Sequence, residues 1–380
     1  MRIDTSRSRH TKTKKTKWHQ RKYSCKHYPS QLQSKARPNN SSSTGATGYI
    51  GGDALYALHK AHPDWTYSAL IRTEDKASKV KAAYPSIRAV IGGLDDSALL
   101  SKEAADADIV VHTADASDHE GAAKAIAKGL VEGHSKEKPG FWLHTGGTGI
   151  LTYFDTRDGK LGEWEDGKPF DDWEGVDELT HLPDDAFHRN VDKVVLETGI
   201  KHGDVVKTAI LCPPTIYGRG RGPVSGRSRQ AYELTKTILQ KQIAPVIGKG
   251  KARWNNVHVY DLSDLFVALA NAAEAKKLDA DLWGAKGYYI VENGTHSWSD
   301  LANLIAKTAA EMGYISKDWK EAPMSKDEAW ELADFQALSW GLNSRAKAER
   351  AKKLLGWTPK QQSLEAEVPT IVKSEKERLG

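Results

Sequence analysis

Three glycines in the stretch TGATGYIGG, residues 44–52, have the spacing needed to bind a diphosphate. Gly45, Gly48 and Gly51 recur at every third position, and an apolar segment with helical periodicity follows them. In such a turn the first glycine permits a tight bend, the second lets backbone N–H groups approach a pyrophosphate, and the third lets helix and strand pack closely. The positive end of the helix then faces the anion. The sequence therefore predicts a dinucleotide site at this turn.

The residue that ends the second strand indicates which dinucleotide is bound. An acid at this position hydrogen-bonds the ribose 2′-OH of NAD, whereas an arginine suits the 2′-phosphate of NADP. The strand SALIR ends in Arg72. We therefore expect NADP as the cofactor, with NAD as the alternative. The two cysteines, Cys25 and Cys212, give no ligand spacing, so we expect no metal.

Alternating apolar strands and helices must position this turn. We predict strands over 67–72, 87–93, 106–114, 140–147 and 205–212, and helices over 51–62, 74–83, 120–133 and 185–199. Strands that are apolar throughout and separated by helices are typical of a parallel sheet covered on both faces. The sequence thus predicts an α/β fold with a doubly wound parallel sheet over 44–212, interrupted by a loop insertion at 150–183. Residues 213–380 are predicted to form mainly a smaller substrate lobe, with segments returning to the sheet.

The segment before the turn lacks the apolar residues expected of the buried strand that should support the turn. Residues 1–43 hold 12 of the 55 Lys and Arg residues and one acid, Asp4, so we predict a disordered basic tail. Pro38 removes a backbone donor, and the following Asn and Ser residues have low strand preference. The first strand is poorly encoded, and we infer that 1–43 is a leader foreign to the fold. Ser41–Thr44 would keep the strand position only through hydrogen bonds from both neighbours.

Composition also restricts the compartment and the partners. No apolar run approaches the roughly 18 residues that cross a bilayer, and the start lacks the apolar segment of a secretory signal. The cysteines form no disulfide framework, which suits a reducing compartment. We therefore expect a cytoplasmic protein without a membrane partner.

Five motifs in order resemble the short-chain dehydrogenase/reductase superfamily, in its extended and atypical branch. They are TGATGYIGG (44–52), IVVHTA (109–114), PPTIYGRG (213–220), NNVHVYDLSD (255–264) and LLGWTPK (354–360). The chain is most similar to the NAD(P)-dependent sugar-nucleotide epimerase/dehydratase and dihydroflavonol-reductase-like members, and to fungal NAD(P)-binding proteins whose strand ends in HTGGTG. The resemblance implies a Rossmann domain, a C-terminal substrate lobe and a nicotinamide at the cleft between them.

The resemblance also implies roles for individual residues. Those expected to hold the cofactor are Gly45, Thr47, Gly48, Tyr49, Ile50, Gly51, Thr113, Ala114, Lys193, Pro213 and Pro214, together with Arg72 from the argument above. Those expected to meet the substrate are Tyr153, Arg219, Arg221, Arg253 and His258. Thr145 or Thr148 would polarise the substrate oxygen, while Lys193 would fix the nicotinamide ribose.

The chain departs from the family at the catalytic tyrosine. In the Y-x-x-x-K motif the lysine lowers the phenol pKa so that tyrosine acts as the acid/base. Four residues before Lys193 stands Arg189, which cannot give up its proton. His188 is adjacent, about 100° around a helix, and is a candidate replacement. Tyr153 is a second source of a phenol.

These residues leave three functions open. The first is an NAD(P)-dependent oxidoreductase or epimerase/dehydratase-like enzyme that acts on a small carbonyl or hydroxyl compound, with a sugar nucleotide as one candidate. The second is a catalytically silent NADP(H)-binding regulator, because the tyrosine is missing. The third, a nucleic-acid-associated protein acting through its basic tail, ranks last because the body is acidic. A homodimer is expected from the superfamily, although the sequence leaves the oligomeric state open.

Overall fold

Strands and helices alternate along the chain from Asn40 to Thr145, and the order is less regular beyond. The computed structural model describes residues 39–164 and 167–380. Its strands are β1 Asn40–Thr44, β2 Thr66–Ile71, β3 Arg88–Ile91, β4 Ile109–His112, β5 Gly140–Thr145, β6 Phe170–Asp171, β7 Val206–Cys212, β8 Thr215–Tyr217, β9 Ile243–Ile247, β10 Arg253–His258, β11 Tyr288–Ile290, β12 Thr295–Ser297, β13 Lys320–Met324 and β14 Ala346–Lys347.

The helices follow the same order. They are α1 Tyr49–Ala61, α2 Glu74–Ala83, α3 Ser97–Asp106, α4 Glu120–Gly133, α5 Tyr153–Asp158, α6 Val176–Thr180, α7 Arg189–Lys201, α8 Gln230–Lys241, α9 Val259–Glu274, α10 Trp298–Glu311, α11 Lys326–Ser339, α12 Arg350–Leu355 and α13 Leu364–Leu379. The helix α3 was not predicted, because only Leu99, Leu100 and the alanines mark its apolar face.

A seven-stranded sheet in the order β3-β2-β1-β4-β5-β7-β11 forms the centre of the fold. Every neighbouring pair in it is parallel. Helices α1 and α9 pack together, while α3, α4 and α7 form a second helical layer. The predicted doubly wound α/β fold is therefore confirmed. The chain reverses its direction of winding between β1 and β4, which places a crevice at the carboxyl ends of these two strands.

The strand β1 lies at the centre of this sheet although its sequence is NSSST. Both β2 and β4 pair with it, from Asn40 to Thr44 and from Ser41 to Thr44 respectively. Ser41, Ser42, Ser43 and Thr44 are all buried. The strand forms because neighbours on both sides satisfy its backbone groups, which outweighs the low strand preference of serine.

This strand corrects the predicted end of the basic tail. We expected a disordered segment over 1–43, whereas Asn40–Ser43 belong to the central sheet. The remaining tail prediction falls on residues 1–38, which lie outside the described residues.

A second hydrophobic core lies in the C-terminal part of the chain. Helices α8, α10 and α13 pack against one another around Leu234, Ile305 and Val368. The strand β11 and the helix α9 instead join the large sheet. Residues 38–380 accordingly form one compact unit.

The segment 150–183 is not the loop insertion that we predicted. It contains α5, β6 and α6, and Ile150, Leu151, Val176 and Leu179 lie in the main core. The acidic composition of the segment favoured the prediction of a loop, although these four apolar residues are buried. Among the described residues, no helix is long and apolar enough to span a membrane.

The central position of β1 can be tested at Ser42. Proline there removes a backbone donor between two paired strands, so Ser42→Pro should lower the free energy of unfolding by about 3 kcal/mol or more. Ser42→Ala keeps the N–H group and should change it by about 1 kcal/mol or less. Urea denaturation measures both variants, and equal midpoints would show that Asn40–Thr44 is not a central strand.

Candidate active site

A cavity of about 610 Å³ opens at the carboxyl ends of the central strands. Thr113, Gly146 and Pro213 line it, and each directly follows a strand, β4, β5 and β7 respectively. Ligands of open α/β sheets bind at this edge, where the strand order reverses.

The three glycines of the turn after β1 have separate roles. Gly45 has φ +84°, and a Cβ atom there would lie 2.4 Å from the Thr113 hydroxyl. A Cβ atom at Gly51 would lie 2.2 Å from the same oxygen. Gly48 faces the cavity, where a Cβ atom would meet only the Gly45 carbonyl, at 3.2 Å. The first and third glycines therefore permit close packing, and the second leaves the backbone open to a ligand.

Helix α1 presents unsatisfied backbone donors to the cavity. The first N–H groups of a helix have no intrahelical acceptor. Gly48 provides no side-chain cap, and the first turn contains no acid. By contrast, Thr73, Asp96 and His119 cap α2, α3 and α4. The residues present thus fit the pyrophosphate of a dinucleotide, whose charge the helix dipole favours.

Most of the residues expected to hold the cofactor lie at or beside this cavity. Those that line it are Gly48, Tyr49, Ile50, Gly51, Thr113, Pro213 and Pro214. Gly45, Thr47 and Ala114 belong to the same two turns without lining it. Arg72 directly follows β2 and is exposed.

A carboxylate and an imidazole form a pair at the cavity. His188 Nδ1 lies 2.7 Å from a carboxylate oxygen of Asp118, and both residues line the cavity. The hydrogen bond with His188 lowers the pKa of Asp118. The other ring nitrogen, Nε2, faces the turn after β5, since Cβ atoms at Gly147 and Gly149 would lie 3.3 and 3.2 Å from it. Such a pair can take up and release a proton while the carboxylate fixes the ring.

Arg189 and Lys193, the pair predicted from the family motif, do not line the cavity. The residue that lines it, His188, lies one position before Arg189. Helix α7 begins at Arg189, and His188 precedes it with φ +69°. Lys193 Nζ bonds both carboxylate oxygens of Asp184 at 2.9 Å and does not line the cavity. The contact of Lys193 with the nicotinamide ribose stays a prediction, and in this structure its ammonium group is paired with Asp184 outside the cavity. One helical turn beyond His188 the inward residue is Asp192, because i and i+4 share a face.

Asp192 lies behind the cavity wall. It is buried, and one carboxylate oxygen accepts a hydrogen bond from the Tyr288 hydroxyl at 3.0 Å. The other oxygen has no hydrogen-bond partner in the described part of the chain, and a Cβ atom at Gly146 would lie 3.3 Å from it. Burial raises the pKa of Asp192 to about 6.

The two threonine candidates lie at different depths. Thr148 lines the cavity, whereas Thr145 ends β5 and is buried behind it. Neither hydroxyl has a hydrogen-bond partner among the described residues. The strand-end histidines His112 and His144 are fully buried in the sheet, where burial lowers the pKa of His112 to about 3. Thr148 is therefore the better placed hydroxyl.

The residues expected to meet the substrate lie elsewhere. Arg221 bonds the buried Asp53 of α1 at 2.6 Å and lies between the rings of Tyr56 and Tyr260. This clamp ties the Gly/Arg loop 218–229 to the helix of the dinucleotide turn. None of the five expected residues lines the cavity.

The other four expected residues also have structural surroundings. Arg253 stacks on Trp164, and His258 caps α9 through its Nδ1 atom. Tyr153 contacts Asp185 at 3.4 Å, and Arg219 is exposed. Which of the loop arginines are neutralised by distant acids is not encoded in any local pattern of residues.

Other residues of the cavity were missed by the sequence argument. They include Asp118, Phe187, Ile216, Trp254 and Phe335. Asp118 follows a strand end, a position that could have identified it. Trp254 and Phe335 come from distant segments, and only tertiary packing brings them to the cavity.

Comparison with known proteins identifies the family. A sequence model described as NAD(P)H-binding matches residues 45–138. The oxidase ucsJ of an Acremonium species is 41% identical over 345 residues, which cover 89% of this chain and 97% of that protein. The chain belongs to the extended short-chain dehydrogenase/reductase family. The resemblance expected from the five motifs is confirmed.

Solved structures of this family share the fold at low sequence identity. The dTDP-glucose 4,6-dehydratase DesIV of Streptomyces venezuelae, solved with NAD, is 16% identical, with 89% of this chain and 97% of that chain covered and a TM-score of 0.61. The UDP-glucose 4-epimerase of Thermotoga maritima, solved with UDP-glucose, is 14% identical, with 90% and 100% covered and a TM-score of 0.58. These likenesses show that the fold is shared.

The clamp between Arg221 and Asp53 predicts a large effect on stability. Arg221→Gln leaves a fully buried carboxylate without its cation, which should lower the free energy of unfolding by about 3 kcal/mol. Arg219→Gln, on the same loop but exposed, should change it by about 0.5 kcal/mol or less. Denaturant unfolding compares the two variants. An equal effect of the two substitutions would show that the ion pair between Arg221 and Asp53 does not stabilise the fold.

Proposed function

We propose that this protein is an NAD(P)-dependent oxidoreductase in which His188 is the acid/base, acting on a small hydroxyl or carbonyl compound. The observation that carries the proposal is the Asp118–His188 pair beside the dinucleotide turn. Imidazole exchanges protons near neutral pH, which the guanidinium of Arg189 cannot do. The oxidase name of the ucsJ relative supports redox chemistry.

A nicotinamide dinucleotide, when bound, would supply the chemistry of hydride transfer. The turn from Gly48 to Gly51 would hold its pyrophosphate, and Thr113, Pro213 and Pro214 would border its reactive end. In the oxidative direction His188 Nε2 takes the proton of the substrate hydroxyl as hydride leaves the carbon. Asp118 stabilises the imidazolium that forms, and the proton later passes to solvent. In the reductive direction His188 returns the proton to the carbonyl oxygen.

Two further side chains lie at or behind the cavity wall. The Thr148 hydroxyl is buried at the cavity wall and has no hydrogen-bond partner among the described residues, so it can donate to the substrate oxygen. Asp192 lies behind Gly146 beneath the same wall, where burial raises its carboxyl pKa to about 6. Lys193 has no part in this mechanism, because it is paired with Asp184.

A silent NADP(H)-binding regulator is the second candidate. The observation that favours it is the absence of both the tyrosine and the lysine of the family motif from the cavity. Calorimetry with NADPH and NADH, followed by assays with a panel of alcohols and carbonyl compounds, separates the two candidates. Binding with turnover supports the enzyme, and binding without turnover supports the regulator. No binding of either dinucleotide refutes both.

Replacing His188 tests the acid/base directly. His188→Gln should lower kcat by about 10²- to 10⁴-fold, because general acid/base catalysis contributes that much, while the affinity for the dinucleotide stays unchanged. Asp118→Asn should also lower kcat, since the ring loses its orienting carboxylate. The control is His181→Gln, an exposed histidine outside the cavity. Full activity of the His188→Gln variant would show that His188 is not the acid/base.

The preference for NADP depends on Arg72. This exposed guanidinium follows β2, where a 2′-phosphate would lie. Arg72→Glu should weaken NADPH binding about tenfold or more, through lost attraction and new repulsion, and leave NADH binding nearly unchanged. The neighbouring Lys76→Glu, one turn into α2, serves as a charge-matched control. Calorimetry that gives the same ratio of affinities for wild type and Arg72→Glu would assign the site to NAD.

A further inference from the structure

We infer that the substrate carries an aromatic or conjugated apolar group next to its reacting carbon, and that a sugar nucleotide is not the substrate. The inference rests on the proposed function, since it concerns the same cavity. Two exposed phenylalanines, a broken helix and the pairing of the local arginines carry it.

Phe187 and Phe335 form an aromatic pair at the cavity. Their ring centroids lie 5.5 Å apart, both residues line the cavity, and they are 44% and 43% exposed. The ring of Phe187 also lies 3.6 Å from that of His188, centroid to centroid. Large apolar side chains left in contact with water commonly mark binding sites. The apolar surface therefore begins beside the imidazole that exchanges the proton.

A break in α11 brings Phe335 to this position. Ala333 and Asp334 have non-helical backbone angles, with Asp334 at φ +49° and ψ −142°. Both residues line the cavity. An aspartate in this conformation is strained, and such strain persists mainly at functional sites. In an unbroken α11 each residue would be rotated about the helix axis by a fixed angle from the one before it. The side chain of Phe335 would then point in a different direction.

Two further apolar side chains belong to the cavity wall, which also contains Ser228, Gln230 and Ser339. Ile216 and Trp254 line the cavity, and the Trp254 indole N–H donates to the Leu342 carbonyl. The polar edge of this ring is thus already satisfied, so its carbon surface is what it offers to a ligand. Aromatic ligands stack well on such surfaces.

The local arginines are poorly arranged for a nucleoside diphosphate. Arg227 lines the cavity, but Glu375 accepts from it twice, at 2.7 and 2.8 Å, and Glu233 accepts once, at 2.7 Å. Arg221 is bound to Asp53.

Arg229 is the remaining arginine of the cavity, and the carboxylates of Asp118 and Asp334 line the same space. Its positive charge is therefore offset within the cavity. A second diphosphate, in addition to that of the dinucleotide, would lack the paired guanidinium groups that bind it well.

Binding assays on the full chain test this inference independently of turnover. The ligands are 1-phenylethanol, 2-butanol and UDP-glucose, each titrated by calorimetry with NADP⁺ present and absent. We expect 1-phenylethanol to bind at least about tenfold more tightly than 2-butanol, a ratio that reflects stacking and burial of the ring. Phe335→Ala should abolish this preference. Trp330→Ala removes an exposed aromatic of the same helix outside the cavity and should preserve it.

The outcomes separate the two proposals. Selective binding of 1-phenylethanol without turnover supports the aromatic site and contradicts the enzyme. Turnover of 2-butanol and 1-phenylethanol with equal KM, unaffected by Phe335→Ala, supports the enzyme and overturns the aromatic site. Tighter binding of UDP-glucose also overturns it. Loss of a dimer on Phe335→Ala, measured by sedimentation, would assign the phenylalanine pair to a subunit interface instead.

Discussion

The hydrogen bond from the Thr113 hydroxyl to the Thr44 carbonyl, 2.6 Å long, is the contact on which the site depends. It joins the carboxyl ends of β4 and β1 at the point where the sheet reverses its winding. Gly45 and Gly51 must both lack a side chain, because the same hydroxyl fills the space. This contact fixes the start of α1 and therefore the direction in which its free N–H groups point.

Helix α1 also contacts the C-terminal part of the chain, so its position sets that of the segments that pack on it. Asp53, two residues after Gly51, is buried and accepts hydrogen bonds from Arg221 and Ser263. The Tyr49 hydroxyl donates to the Gly218 carbonyl at 2.7 Å, and Gly222 lies against Gly52. The loop 218–229 is thus held against the helix that faces the cavity. One helix therefore connects the glycine turn with the loop that contributes Arg227 and Arg229 to the cavity.

Some features of the fold and the site could be predicted because they depend on local sequence. The glycine spacing identified the turn, and apolar runs such as Val206–Cys212 identified buried parallel strands. The serine-rich β1 was recognised only from its position before the turn, since its backbone partners come from β2 and β4. The acid/base register was harder: His188 was a candidate, but the motif pointed to Arg189 and Lys193. Helix α7 begins at Arg189, four residues later than predicted, and His188 rather than Arg189 or Lys193 lines the cavity.

The sequence by itself determined the class of sheet, the dinucleotide turn and the edge at which ligands bind, because each follows from spacing along one or two neighbouring segments. Tertiary structure alone decided which charges are paired and which side chains line the cavity. Arg221 and Arg227 look equivalent in the sequence to any loop arginine, yet Asp53 and Glu375 neutralise them from distant parts of the chain. Phe187 and Phe335 are 148 positions apart and come together only when α11 breaks at the cavity. Long-range pairing of charges and rings is set by packing, which a local pattern does not encode.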